Sequence, residues 1–283
     1  WMVKRGPVFS EITVTHPFAE KGRISTCIRL FAGLRRIEIR TKILNNDRFV
    51  RYRALFPTTI EQGKIVREIP FGAVECPDGI EMPAQNWIDY GDGKQGFALL
   101  NRGIPGSNVA DGVVMLSLMR STEIVAYGIG GGYEGQGSSS GFEVGKENTF
   151  DYALVPHAQD WVQARISQEG MSFNHPLMAR SAAPHVGTLP GGWHFLDVSN
   201  PNVLVSAMKL SEDGEGAVLR VYESAGEAVK GCAFHFTAEL AAVEEVNLME
   251  DSCRKIDLQA SGFAIDLNPF EIKTFKLFFR KES

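Results

Sequence analysis

The 283-residue sequence lacks the charge pattern and the long apolar runs that mark two large classes of protein. Lys and Arg are scattered without a basic run, and the net charge is −5 with a sequence pI near 5.8. Such a balance disfavours a polyanionic partner. No apolar run approaches the ~20 residues that a membrane-spanning helix needs. We therefore expect neither nucleic acid nor a membrane as a partner.

Motifs for metal binding and for nucleophilic catalysis are also missing. No GxSxG turn occurs, and GIGGG (residues 128–132) lacks the strand–turn–helix frame of a dinucleotide site. The histidines show no HxH or HxxxH spacing and no His-x-Asp pair, and they are His16, His157, His175, His185, His194 and His235. The sequence therefore predicts no catalytic residue and no metal site within this chain.

Cysteine is scarce, with four residues (Cys27, Cys76, Cys232, Cys253) far apart and no CxxC pair. A chain of this size needs no disulfide to be stable, so we expect free thiols in a reducing, cytoplasmic compartment. A Cys232–Cys253 disulfide is the alternative. Trp1 stands before Met2, and the chain enters a strand-like run at once. That start indicates a segment of a longer polypeptide.

The sequence is rich in short runs that alternate between apolar and polar residues. In RRIEIRTKIL (residues 35–44) and RFVRYRALF (residues 48–56) the alternation predicts two strands, and the NND between them predicts a hairpin turn. Similar runs such as GVVMLSLM, NVLVSAMKL and EIKTFKLFF follow, bounded by Gly, Pro, Asn or Asp. The strongest helix candidate is HAQDWVQARISQ (residues 157–168). The pattern predicts an all-β fold of one or more sandwiches.

Two segments interrupt the strands and suggest the domain organisation. GIGGGYEGQGSSSG (residues 128–141) is predicted to be a loop, either a solvated insertion or a flap over a site. MARSAAPHVGTLPGG (residues 178–192) is small and rich in Pro and Gly, as linkers are. We therefore predict a large β domain at residues 1–185 and a terminal β module at residues 186–283.

The stretch QNWIDYGDGKQGFALLNRG (residues 85–103) is the candidate site. Asp89 and Asp92 are close in sequence, but Asp92 lies in a turn-forming GDG and is predicted to be structural. Trp87 and Asp89 share one face of a predicted strand, and an aromatic ring beside a carboxylate can bind a sugar. The same pattern is typical of an ordinary sheet. A free-standing carbohydrate-binding module with Trp87 as its platform is therefore one hypothesis.

An ordered set of segments resembles a known family. EIPFGAVE, MPAQNWIDYGD, GFALLNRGIPG, VVMLSLMRS and FDYALVPH follow one another as in the C-terminal β region of glycoside hydrolase family 38, the α-mannosidases of microbial and cytosolic type. GGWHFLDVSNPNVLVSAMKLSEDG and LNPFEIKTFKL resemble the terminal module of the same enzymes. The resemblance covers nearly the whole sequence, although no single motif is decisive.

The resemblance implies a galactose-mutarotase-like supersandwich followed by a smaller β-sandwich. It also implies that the parent polypeptide is a zinc-dependent, retaining α-mannosidase of mannose metabolism. Its zinc ligands and aspartate nucleophile belong to an N-terminal catalytic barrel and helical domain that this sequence does not contain. This chain is then expected to be inactive alone, to need no cofactor, and to have that catalytic part and the α-mannoside substrate as partners.

The resemblance also places polar side chains at the rim of the sugar pocket. The matching positions are Asn101 and Arg102 in LLNRG and Arg120 in VVMLSLMRS, which with Trp87 and Asp89 form the predicted substrate-binding set. A strand-end ion pair is the alternative for Arg120. Residues 104–106 (Ile-Pro-Gly) depart from the family's usual turn.

A third hypothesis is a self-sufficient, mutarotase-like enzyme on a related supersandwich. Such an enzyme needs a histidine and a glutamate or other base that converge in the concave sheet. His157 and His194 are the candidates. Each lies beside a turn signal, which favours a structural role.

Overall fold

The computed structural model describes residues 1–19, 21–122, 143–188, 190–259 and 262–280. Strands account for 56% of it and helix for 4%, which confirms the all-β prediction. The glycine-rich segment of residues 128–141, predicted to be a loop, lies outside the described residues. Among the described helices, none is long and apolar enough to cross a membrane.

The contacts between Cα atoms divide the chain into two compact units. Unit 1 comprises Trp1–Glu68 and Val74–His175, and unit 2 comprises Ile69–Ala73 and Pro176–Ser283. The predicted division into a large β domain at residues 1–185 and a terminal module at residues 186–283 stays a prediction.

A nine-stranded sheet forms one layer of unit 1. In spatial order its strands are β1 (Met2–Arg5), β2 (Phe9–Phe18), β3 (Gly22–Phe31), β4 (Ile37–Leu44), β13 (Glu147–Ala158), β10 (Gln95–Asn101), β9 (Trp87–Gly91), β6 (Lys64–Ile69) and β7 (Gly72–Cys76). Ile39 and Ile43 of β4 are buried, whereas Arg40 and Lys42 are exposed. Alternate side chains of a strand point to opposite faces, so the sequence pattern predicts this division.

A four-stranded sheet supplies the facing layer of unit 1. Its spatial order is β5 (Val50–Pro57), β12 (Val113–Ser121), β11 (Gly106–Ala110) and β8 (Met82–Pro83). Ile43 and Leu99 of the larger sheet share one apolar core with Val114 and Leu116 of the smaller one. Full burial of such a side chain contributes about 1.5–3 kcal/mol.

The predicted hairpin between residues 35–44 and 48–56 is wrong. β4 pairs with β3 and β13, whereas β5 pairs with β12 in the other sheet. Both runs bury an apolar face in the same core, but from opposite layers. Alternation fixes which face is buried and does not name the partner strand. The turn between them is held by the Asn45 side chain, whose Oδ1 accepts the Asp47 N–H at 3.1 Å.

The helix of unit 1 is shorter and later than predicted. β13 extends to Ala158, and α1 spans Ile166–Asn174. Arg165 precedes the helix with φ of 58°, in the left-handed region that most side chains avoid. That conformation separates the turn at residues 161–165 from α1, so the predicted helix of residues 157–168 is correct only at its end.

Unit 2 is a smaller β-sandwich, as predicted. One sheet contains β14 (Leu196–Val198), β17 (Val229–Phe236) and β20 (Gly262–Leu267). The other contains β15 (Val203–Leu210), β16 (Ala217–Glu223), β21 (Ile272–Phe279), β18 (Leu240–Val246) and β19 (Ser252–Ile256). The Phe263 ring lies 5.0 Å from both Phe234 and Phe275, which joins the two sheets through aromatic contacts.

Candidate functional site

A groove of about 700 Å³ opens on the four-stranded sheet of unit 1. Strands β5 and β12 and the turn of residues 103–106 form its walls. We call it the β5–β12 groove, and its lining includes Phe49, Arg51, Glu81, Ile104, Pro105, Ser117, Met119 and Arg120. Apolar walls with a few convergent polar groups are typical of small-molecule sites.

One carboxylate is shared by two guanidinium groups in the β5–β12 groove. Arg53 Nη2 lies 2.9 Å from Glu81 Oε2, and Arg51 forms an ion pair with the same oxygen. Arg51 also donates to Ser117 Oγ at 2.6 Å, and Ser117 Oγ donates to Glu81 Oε1 at 3.1 Å. These contacts fix the orientation of the arginines that line the groove.

Several arginines lie close together at the groove. Burial lowers the pKa of Arg51, and the neighbouring charges of Arg53 and Arg120 lower it further. Arginine stays protonated despite such shifts, so the three guanidinium groups remain charged donors. A guanidinium offers a rigid fork of donors that fits vicinal hydroxyls or a carboxylate.

Arg120, predicted at the rim of a sugar pocket, lines the groove near the end of β12. It is exposed, and Arg51 is its cross-strand neighbour on β5. Two other predicted site residues, Trp87 and Asp89, lie in strands of the larger sheet. The substrate-binding role of Arg120 stays a prediction.

Asn101 and Arg102 immediately precede the turn of residues 103–106 that lines the groove. Asn101 is 2% exposed, and its Nδ2 donates to the Ala84 carbonyl at 3.3 Å. Asn174 Nδ2 of α1 donates to the Asn101 carbonyl at 2.9 Å. Arg102 donates to the Phe173 carbonyl and stacks over the Phe173 ring at 4.2 Å. The Asn101 backbone carbonyl and the Arg102 side chain therefore tie the turn that follows them to α1.

Trp87 lies in the interior rather than on a rim. The residue is 0% exposed, and its ring centroid is 5.1 Å from that of Trp161. Gly170 of α1 packs so closely that a Cβ there would lie 2.7 Å from the indole. An indole without accessible surface offers no platform for a sugar ring. The structure thus corrects the exposed position expected for Trp87.

Asp89 is also buried, and it pairs with His157. His157 Nε2 lies 2.7 Å from Asp89 Oδ1, and the two side chains are 3% and 4% exposed. His157 on β13 reaches Asp89 on β9 by crossing β10 at Gly96, where a Cβ would lie 2.2 Å from the imidazole. The rim position expected for Asp89 is therefore corrected too. Asp92 accepts the backbone N–H groups of Lys94 and Gln95, as its predicted turn role requires.

The His157 ring is held by hydrogen bonds at both nitrogens. Its Nδ1 lies 3.2 Å from the Ala158 carbonyl, which accepts only from a protonated nitrogen. Burial lowers the pKa of His157, but the hydrogen bond and charge of Asp89 outweigh burial and leave it raised. With both nitrogens engaged, the ring offers none for acid–base exchange with a ligand. His194, the other mutarotase-type candidate, is exposed in unit 2.

Glu68 is a buried carboxyl that the sequence analysis did not identify. The residue is 6% exposed, and burial raises its pKa to about 7 against the hydrogen bond from Asn86. The Asn86 N–H donates to Glu68 Oε2 at 2.7 Å. In the sequence Glu68 stands in REIP with no sign of burial, so only the packing around β6 reveals it.

Glu68→Gln is expected to stabilise the chain at pH 8 by about 2 kcal/mol, since each pKa unit corresponds to ~1.4 kcal/mol. The folded-state pKa is raised, so the contribution of the protonated carboxyl is complete below about pH 4.5 and is lost as pH rises through about 7. Urea denaturation at pH 5 and pH 8 measures the difference. Equal effects at both pH values would contradict the raised pKa, and Glu75→Gln, an exposed neighbour, is the control.

Metal-ligating side chains do not converge in the part of the chain that the structure describes. No group of three or more His, Cys, Asp or Glu residues there could hold a metal ion. The described residues therefore offer no zinc site. The four cysteines are free thiols.

Two family models match the sequence. The C-terminal domain of the family 38 glycosyl hydrolases matches residues 1–123, and the C-terminal β-sandwich domain of the same family matches residues 202–275. The first match covers unit 1 up to residue 123 together with residues 69–73 of unit 2, and the second lies in unit 2. The two matches keep the order that the resemblance predicts.

Curated relatives of the sequence are named as alpha-mannosidases. The chain is 26% identical to alpha-mannosidase 2C1 of Mus musculus over 90% of its length, and 25% identical to alpha-mannosidase G of Dictyostelium discoideum over 90%. It spans about a quarter of these relatives, 24% and 23% respectively.

The crystal structure of an alpha-mannosidase from Enterococcus faecalis V583 shares the fold. The TM-score is 0.75 at 20% identity, over 97% of this chain and 34% of that one. The sequence matches and the shared fold thus both extend over the two units. The chain belongs to the family 38 glycosyl hydrolases and represents their C-terminal β region.

Proposed function

We propose that this chain is the non-catalytic β region of a zinc-dependent, retaining α-mannosidase. The catalytic part, with its zinc ion and nucleophile, belongs to a segment of the polypeptide outside this chain. This chain contributes a scaffold and part of the rim of the sugar pocket. The cytoplasm is its proposed location, in keeping with four free thiols.

One observation carries the proposal. Both units match C-terminal domains of the family, while the described residues bring together no metal-binding cluster. In the buried pair of His157 with Asp89, both ring nitrogens are engaged. A role in support of chemistry that is carried out elsewhere fits this combination.

Hydrolysis of an aryl α-mannoside tests the division of labour. We expect the full polypeptide to release the aryl group in a reaction that a zinc chelator stops, and the 283-residue chain alone to release none. Circular dichroism of the isolated chain controls for folding. Turnover by the isolated, folded chain would overturn the proposal.

Within this function, the β5–β12 groove is the proposed rim. Arg120 and Arg51 present guanidinium donors at the groove, and apolar side chains such as Ile104 and Met119 flank them. Asn101 and Arg102 act indirectly, through the turn that they tie to α1. The groove then contributes donors for hydroxyls of a mannoside that the catalytic part cleaves.

Arg120→Ala in the full polypeptide is expected to lower kcat/KM for an α-mannoside by roughly 10- to 100-fold. The reason is that hydrogen bonds to a charged donor are worth ~1.5–3 kcal/mol. Initial rates over a range of mannoside concentrations measure the change, and Arg120→Lys should recover part of it. Arg254→Ala, at an exposed arginine of unit 2, is the control. An unchanged kcat/KM would remove Arg120 from the rim.

A further inference from the structure

The apolar face of the nine-stranded sheet continues beyond its core at the β1–β3 edge. Direct cross-strand partners form a row from Val3 through Ile12 and Ile28 to Ile39. Along this row exposure falls from 44% at Val3 and 38% at Ile12 to 7% at Ile39. Ile28 packs against the core of unit 1. The same apolar surface is therefore buried at one end of the row and open at the other.

Other side chains widen this open surface. Val14 is two residues beyond Ile12 on β2 and 40% exposed, and Leu30 is two residues beyond Ile28 on β3 and 53% exposed. Both point to the same face as Ile12 because side chains repeat with a period of two. We call Val3, Ile12, Val14 and Leu30 the overhang patch. A contiguous apolar patch of this kind marks an interaction surface in a soluble protein.

The opposite face of the same strands carries a buried carboxylate with two cationic partners. Glu11 is 8% exposed, and it pairs with Lys4 at 3.1 Å and with Arg29 at 2.7 Å. These ion pairs and the regular ladders fix the register of β1, β2 and β3. A slip of one residue would exchange the two faces, so the apolar face is a fixed feature of the sheet.

We propose that the overhang patch is the docking surface for the part of the polypeptide outside this chain. This proposal rests on the proposed function, which places a catalytic part there. The curated relatives are about four times as long as this chain, so an intramolecular partner of ample size exists in the family. A covalently linked partner is present at a high effective concentration. A second copy of the chain is not linked and lacks this advantage.

The patch also indicates the chemistry of its occupant. Arg5 lies on the same face as Val3 and forms no ion pair with any residue that the structure describes. The matching surface is therefore aliphatic, with a carboxylate placed against Arg5. Such a contact extends the core of unit 1 outward by a further apolar layer.

Ile12→Asp in the full polypeptide tests the docking surface. A charge placed in a dry apolar contact opens it, so we expect limited proteolysis to cut between the catalytic part and this chain faster by about tenfold or more. In the isolated chain the same change should lower the unfolding midpoint only slightly, because Ile12 is already 38% exposed and the loss is mainly that aspartate is a poorer strand residue than isoleucine. Leu210→Asp, at a 76% exposed strand residue of unit 2, is the control for an added charge.

Each other outcome overturns the inference. An unchanged proteolysis rate in the full polypeptide means that the catalytic part docks elsewhere. A midpoint in the isolated Ile12→Asp chain as low as that expected for a buried core position means that the patch is covered within the chain itself. A wild-type chain that dimerises by analytical ultracentrifugation, and an Ile12→Asp chain that does not, would assign the patch to a second copy. None of these experiments measures mannoside hydrolysis. Their outcome therefore does not depend on whether the full polypeptide has the proposed activity, which the hydrolysis assay tests by itself.

Discussion

Glu223→Gln is expected to lower the free energy of unfolding of unit 2 by about 3 kcal/mol, because hydrogen bonds to a buried charged group contribute ~1.5–3 kcal/mol and unpaired donors cost more. The side chain of Glu223 ends β16 and is 0% exposed. The effect is large because one carboxylate serves several backbone groups at once.

Four backbone N–H groups donate to the Glu223 carboxylate. Ala225 donates to Oε1 at 2.8 Å, and Gly226, Glu227 and Phe270 donate to Oε2 at 2.8, 3.2 and 3.0 Å. Glutamine replaces one of the oxygens with an NH₂ group, which has no acceptor capacity and faces donors. At least one backbone donor is then buried without a partner.

Urea denaturation monitored by circular dichroism measures the loss, and hydrogen exchange localises it. The amides of Gly226 and Phe270 should exchange faster in the Glu223→Gln chain, although they are far apart in sequence. Glu215→Gln, at an exposed glutamate of the same unit, is the matched control. If exchange rises only near residue 226, the carboxylate does not connect the two segments.

Asp89→Asn is expected to destabilise unit 1 by about 3 kcal/mol at pH 6, since removal of one partner of a buried ion pair typically costs ~3–5 kcal/mol. His157 then keeps its buried position without a counter-charge. At pH 8 the cost should be smaller, because the asparagine NH₂ can donate to the Nε2 of a neutral imidazole.

The pH dependence of stability should change sign between the two chains. In the wild type Asp89 raises the pKa of His157 above its unfolded value, so the pair's contribution is complete below about pH 6.5 and is lost as pH rises through the folded pKa. In Asp89→Asn burial and the charge of Arg35 both lower that pKa, and they outweigh the Ala158 hydrogen bond, which raises it. The contribution of the neutral His157 ring to stability is then complete above about pH 6.5 and is lost as pH falls through the lowered pKa.

Denaturant midpoints measured from pH 5.5 to 8.5 test this reversal. NMR titration of the His157 ring gives the two pKa values directly. Asp78→Asn, at an exposed aspartate of unit 1, is the control and should leave the profile unchanged. Parallel profiles for the wild type and Asp89→Asn would mean that the buried ring is neutral in both.

The order and the faces of the strands could be predicted from the sequence. Alternation in RRIEIRTKIL predicted that Ile39 and Ile43 are buried, because side chains of a strand repeat with a period of two. The ordered segments from EIPFGAVE to LNPFEIKTFKL predicted the family, and the two matching family models cover both ends of that set.

The partner of each strand could not be predicted from the same pattern. β4 and β5 are adjacent in sequence and both alternate, yet they lie in facing sheets. The hydrophobic effect rewards burial of either strand's apolar face and is not directional. The ladders with distant strands decide whether the two strands form a hairpin or lie in facing sheets. β4 pairs with β13, and β5 pairs with β12.

The candidate site divides in the same way. The sequence by itself determined the residue types of QNWIDYGDGKQGFALLNRG and placed Trp87 and Asp89 on strands and Asp92 in a turn. The tertiary structure decided that Trp87 and Asp89 are interior, because α1 and His157 approach from elsewhere in the chain to cover them. It also brought Arg51, Glu81 and Arg120 into one groove. Burial and charge depend on neighbours distant in sequence, and those neighbours exist only once the sheets have packed.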